Sequence, residues 1–166
     1  MLKTFLSSVV LCLFVNSAYA ESPQPNDAAA LQDVTVGQAV FDINIPGNNP
    51  QKLALYLRVI QETYTGLVAQ NVQPDILLAF RGSAVKMITT AQPDNIALDT
   101  EEQLEQVADL LEDLMSKGVK VEACSVATRL FNVANDSLLS GIKPVGNTFI
   151  SLIGYQAQGY AVIPIY

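Results

Sequence analysis

The chain of 166 residues has no histidine and no tryptophan, only two cysteines, and nine Lys plus Arg against sixteen Asp plus Glu, for a net charge of -7. Each shortage excludes a class of chemistry. Without imidazole there is no Ser-His or Cys-His relay, no His-ligated zinc or haem site, and no imidazole pH switch. Without a cationic surplus the chain is a poor general binder of nucleic acid, because phosphates must be neutralised by Lys and Arg. No stretch approaches the roughly 18 apolar residues that a spanning helix needs, so no membrane span is expected. What is present is apolar content: 50% of residues are hydrophobic and 15% charged, the composition of one well-cored globular domain.

Part of that apolar content reads as a targeting segment. Lys3, the apolar run Phe5 to Val15 and the small-x-small sequence Ala18-Tyr19-Ala20 form a signal peptide pattern over residues 1–20, with cleavage expected after Ala20. The expected location is therefore the periplasm. Cys12 lies inside the apolar run, not at the position following cleavage, which disfavours a lipoprotein. Its removal leaves Cys124 as the only thiol. Residues 21–37 carry two prolines and no sustained period, and read as a flexible leader.

From residue 38 to the end, strand-like and helix-like patterns alternate. Gln38 to Ile45 is a β-branched and aromatic run closed by Pro46-Gly47. Asn49-Pro50 supplies a helix cap with proline first, followed by Leu53, Tyr56, Leu57, Ile60, Tyr64, Leu67 and Val68 on one face. Asp75 to Phe80 reads as a strand buried on both faces, ended by Arg81-Gly82-Ser83. Ala84 to Thr90 has no pattern that types it. Thr100 caps a long helix with Leu104, Val107, Ala108, Leu111, Leu114 and Met115 as its buried stripe. Glu101, Glu105, Asp109 and Glu112 line its opposite side and read as a solvated face. Gly118 stops that helix. Val119 to Cys124 then alternates at period two, followed by a helix from Ser125 to about Asn135, a strand from Gly141 to Val145, a helix from Asn147 to Gln156 and a strand from Tyr160 to Ile165. Short βα units of this kind imply a three-layer α/β/α domain with a mainly parallel sheet of about five strands.

In such a sheet the working crevice lies beyond the carboxyl ends of the strands. The Arg81-Gly82-Ser83 turn and Cys124 both fall there. Arg81, Gly82, Ser83 and Ser125 are candidates for holding an anionic ligand or stabilising a thiolate. Against this, a strand-end Arg commonly forms an ion pair and Gly82 can simply serve the turn. Cys124, at a strand end followed directly by a helix, would meet free N–H groups and the positive end of the helix dipole, which favour the thiolate. The competing reading is a small buried hydrophobe. An unpaired thiol in an oxidising compartment has to be shielded or used. Gly141 to Thr148 imitates phosphate-loop spacing, but Asn147 stands where the lysine is required and Pro144 interrupts the loop. Asn135-Asp136-Ser137 fits a glycosylation acceptor. No metal or cofactor is expected.

The runs Phe80 to Thr89 (FRGSAVKMIT), Gly118 to Leu130 (GVKVEACSVATRL), Leu138 to Val145 (LLSGIKPV) and Asn147 to Tyr166 (NTFISLIGYQAQGYAVIPIY) together resemble the DsrE/DsrF-like family of sulfur-relay proteins. The resemblance spans residues 38–166. It implies a small parallel α/β fold, homo-oligomers or family hetero-oligomers, and a cysteine that accepts sulfur as persulfide and passes it on. Cys124 matches that cysteine. A signal peptide departs from the family's well-understood relay members, which work inside the cell. Two functions follow as expectations: a periplasmic sulfur handler exchanging sulfane sulfur with a donor or acceptor protein, or a non-catalytic oligomeric binding or assembly module in which Cys124 is merely structural. Tyr155, Tyr160 and Tyr166 are candidates for subunit contacts or for ordinary core packing.

Overall fold

A computed structural model describes residues 26–90 and 100–166. The expected signal peptide and the first residues of the leader lie outside these. Five strands, β1 (Val36–Ile43), β2 (Gln73–Phe80), β3 (Lys120–Cys124), β4 (Lys143–Val145) and β5 (Ala161–Ile165), form one sheet in the order β4-β3-β2-β1-β5. Every pairing is parallel. Helices α1 (Pro50–Ala69), α2 (Glu101–Ser116), α3 (Ser125–Leu130) and α4 (Thr148–Ala157) complete the three-layer α/β/α architecture.

The sheet's two faces are unequal. Alternate residues of β2 divide between them: Ile76, Leu78 and Phe80 join the larger core with α1 and α2, whereas Leu77 and Ala79 join Val40 and Tyr160 beneath α4. In α1, Asn49 Oδ1 accepts the Lys52 N–H at 3.0 Å, with Pro50 in the first turn, where its missing N–H costs nothing. Leu53, Leu57 and Ile60 are fully buried. Val68 departs from the expected stripe and is 51% exposed, because eight residues of helix turn it roughly 80° from Ile60. Val107, Leu111 and Leu114 anchor α2, and its row Glu101, Glu105, Asp109 and Glu112 is exposed. Gln61 on α1 donates to Asp113 on α2 at 2.5 Å.

Element bounds differ from the sequence reading at several places: β1 ends at Ile43, not Ile45, β2 begins at Gln73, not Asp75, and the bounds of β3, α4 and β5 shift by one residue. Strand β1 starts at Val36, not Gln38, because Val36 and Gly37 already pair with Gln73 and Pro74. The helix after Cys124 ends at Leu130, not near Asn135. Asn132 takes φ 55°, and Asn135 folds back so that its Oδ1 accepts from Thr128 Oγ1 at 2.7 Å. Strand β4 begins at Lys143, not Gly141, because Gly141 sits at φ 87° and Ile142 N–H turns back to Leu139 O. The stretch Ala84 to Thr90, untyped in the sequence, falls largely in a 3-10 turn over Gly82–Met87. No helix among the described residues is long and apolar enough to cross a membrane.

Candidate functional site

The carboxyl ends of β1, β2 and β3 bring Asp42, Arg81 and Cys124 to one rim of the sheet. Cys124 is the last residue of β3 and pairs in register with Val145 of β4. That pairing has a consequence for the loop that follows β4. Three residues after Val145, Thr148 opens α4, and its backbone N–H points at Cys124 Sγ across 3.4 Å. Asn147 caps the same helix, but its Oδ1 takes the Phe149 N–H at 3.0 Å, so the Thr148 amide stays available to the sulfur. The cap residue is therefore the one that displaces the phosphate-loop lysine in the Gly141 to Thr148 motif.

Cys124 has 5% of its surface exposed. Burial pushes its thiol pKa up, but the Thr148 N–H, the Ala127 N–H, the Thr148 hydroxyl and the Val126 N–H together outweigh burial and bring it below the ordinary thiol value. The sulfur thus sits where the starts of two helices converge, its own α3 and, across the sheet edge, α4. The sequence pointed to α3 alone; the donor from α4 is contributed by Thr148, a residue not among the expected site residues.

The sulfur opens onto a cavity of about 230 Å³. Its walls are largely apolar, with Val126, Leu130, Phe131 and Phe149 contributing, and Arg81 and Gly82 complete one side. Arg81 donates from Nε and its second guanidinium nitrogen to the two oxygens of Asp42, at 2.6 and 2.9 Å, and stacks over Phe149 at 5.6 Å. The hydrogen bond that Arg81 gives to Asp42 raises the Arg81 pKa further, against the opposing effect of burial. The guanidinium is therefore a permanent but compensated cation beside the cavity. Gly82 takes φ 58°, a left-handed turn conformation that favours glycine, and a Cβ there would displace the Asn44 side chain, whose Oδ1 would lie 2.2 Å away.

Ser83 and Ser125 do not line the cavity. The Ser83 hydroxyl accepts the Gly47 N–H at 2.9 Å, and Ser125 Oγ accepts from Asn135 Nδ2 at 3.3 Å. With both ends of its amide used by Ser125 and Thr128, Asn135 is built into the fold. Behind the cavity, Tyr155 donates to the buried Glu122 at 3.1 Å and packs edge-on against Tyr160 at 5.0 Å, while Tyr166 is exposed. Among the described residues no three His, Cys, Asp or Glu side chains gather as a metal site would require.

The described residues form a parallel three-layer α/β domain whose one described thiol stands at the end of the third strand, held by amides and open to an apolar cavity. The chain belongs to the DsrE/DsrF-like family, whose model matches residues 38–165. No functionally curated protein matches it. Among solved structures it is similar in fold to the protein of unknown function MTH1491 from Methanobacterium thermoautotrophicum, at TM-score 0.56 and 18% identity over 80% of this chain and 100% of that one. It is similar to the same degree to the ychN protein from E. coli, at TM-score 0.56 and 17% identity over 78% and 99% of the two chains.

Proposed function

We propose that the protein is a periplasmic sulfur carrier in which Cys124 accepts a sulfane sulfur and passes it on. The observation that carries this reading is the Thr148 amide on Cys124 Sγ at the mouth of an open cavity, since it gives the thiolate both stabilisation and access. In the loading step the thiolate attacks the outer sulfur of a donor persulfide, R–S–SH. The new S–S bond forms as the donor's own S–S bond breaks, R–S⁻ leaves with the electron pair, and Cys124 carries –S–SH with no net oxidation. In the return step an acceptor thiolate attacks the outer sulfur and Cys124 departs as thiolate. A thiol with lowered pKa is the better leaving group in that exchange.

Incubation of the mature protein with a sulfane-sulfur donor is expected to add the mass of one sulfur, which dithiothreitol removes and Cys124→Ser prevents. A wild-type protein that gains no such mass refutes the carrier reading. The near-complete burial of Cys124 favours the rival, a binding module with a packed thiol, and a Cys124 that reacts with alkylating reagent only after denaturation would establish it.

The carrier reading includes a homo-oligomer. Phe149, Ile150 and Ile153 on α4 are 59%, 69% and 70% exposed, a contiguous apolar surface that a small domain cannot cover by itself. A second copy is the simplest cover. Light scattering of the mature protein at micromolar concentration should report more than one chain per particle, and a strict monomer would refute this part of the proposal.

A further inference from the structure

We propose that the Thr148 side-chain hydroxyl is a working donor to Cys124, turning its proton toward the sulfur whenever the sulfur is ionised. The inference deepens the carrier reading and rests on Cys124 being a functional thiolate. Thr148 is fully buried, and its Oγ1 has no hydrogen-bond partner of normal geometry. A buried hydroxyl left in that state is uncommon in a folded protein and calls for an explanation.

Position supplies one. In the interior of a helix a threonine hydroxyl can give its proton to a carbonyl three or four residues back. Thr148 is the first residue of α4 and follows the extended Asn147, so no such helical carbonyl precedes it. The local alternative is not taken either: Asn147 Oδ1 receives the Phe149 N–H, and Thr148 Oγ1 makes no bond to it. The group at hand is the Cys124 sulfur, held by the amide of Thr148 itself. A hydroxyl both donates and accepts. It can accept a hydrogen bond from the neutral thiol and, by rotating, donate one to the thiolate. The amide, by contrast, can only donate. The pair therefore suits a sulfur that alternates between protonated, ionised and sulfur-bearing forms.

Other charged or titratable groups border this corner: Arg81 from the end of β2, with its partner Asp42 on β1 and Tyr166 within its field, and Glu122 on β3, held by Tyr155 of α4. None of them is hydrogen-bonded to the Thr148 hydroxyl, so it can be tested alone. Cys124 alkylation would be followed by intact mass against pH in the wild type, Thr148→Val, Thr148→Ala and Thr148→Ser, each checked for folding by circular dichroism. Loss of the hydroxyl is expected to raise the apparent pKa by about one unit, which is about tenfold less thiolate at a pH below it. Thr148→Ser should stay within about twofold of the wild type. Should Thr148→Val fail to fold, the comparison of Thr148→Ala with Thr148→Ser decides. Unchanged profiles in the hydroxyl-free variants overturn the proposal, as does a serine variant that shifts as far as they do. Both results leave the carrier reading intact, whereas a wild-type Cys124 that labels only when unfolded removes that reading itself.

Discussion

Replacing Asp42 by alanine is expected to destabilise the protein by about 3 kcal/mol, the lower end of the range for removing one partner of a buried ion pair. Asp42 is 5% exposed and both its oxygens hold Arg81. Without it the guanidinium remains a cation against an apolar cavity, desolvated and unpaired. The lower end applies because the Arg81 side chain retains 19% exposure, so water partly compensates. The double variant Asp42→Ala/Arg81→Met should recover most of the loss, since it removes the orphan charge and keeps an unbranched chain against Phe149. Urea denaturation of the three proteins measures this. A double variant no more stable than the single one would show that lost packing, and not an uncompensated charge, is the cause.

A larger loss is expected from Phe80→Ala. Phe80 ends the central strand β2, is fully buried in the larger core, and pairs in register with Ala123, the neighbour of Cys124. Its truncation removes the transfer energy of the ring and leaves a cavity between sheet and helices, about 3–5 kcal/mol together. Set against a typical domain stability of about 5–15 kcal/mol, that endangers the fold at growth temperature. Leu55→Ala serves as the control, because Leu55 on α1 is 56% exposed and its loss should stay within about 0.5 kcal/mol. Denaturation midpoints that rank these two variants equally would contradict the assignment of core and surface.

Much of this arrangement was legible in local pattern. Period-two alternation from Val119 and the break at Gly118 place Cys124 at a strand end, and the apolar run to Phe80 places Arg81 on the same rim. The partners were not legible, because they come from tertiary pairing. That Thr148 reaches the sulfur depends on Val145 lying beside Cys124, and no local periodicity encodes that register. The same holds for Asp42, which meets Arg81 only because β1 and β2 are neighbours in parallel. Ser83 and Ser125 follow the right strand ends, yet short polar side chains in turns readily find nearby backbone or amide groups, and these two did. The early end of α3 was hidden for a related reason: Asn132 adopts a left-handed conformation that asparagine tolerates.

The order of the sheet joins the two ends of the described domain. Strand β1 has β2 on one side and β5 on the other, and β5 follows every other described element in sequence. On the ribosome, then, β1 and β2 can meet early, but one edge of β1 stays without its neighbour until residues 161–165 have emerged. Pairing partners so far apart in sequence slow the closing step of folding, because the loop entropy falls due before the contacts form. The sheet is sealed by the element made after all its other strands, and β1 keeps an open edge in the nascent chain until then.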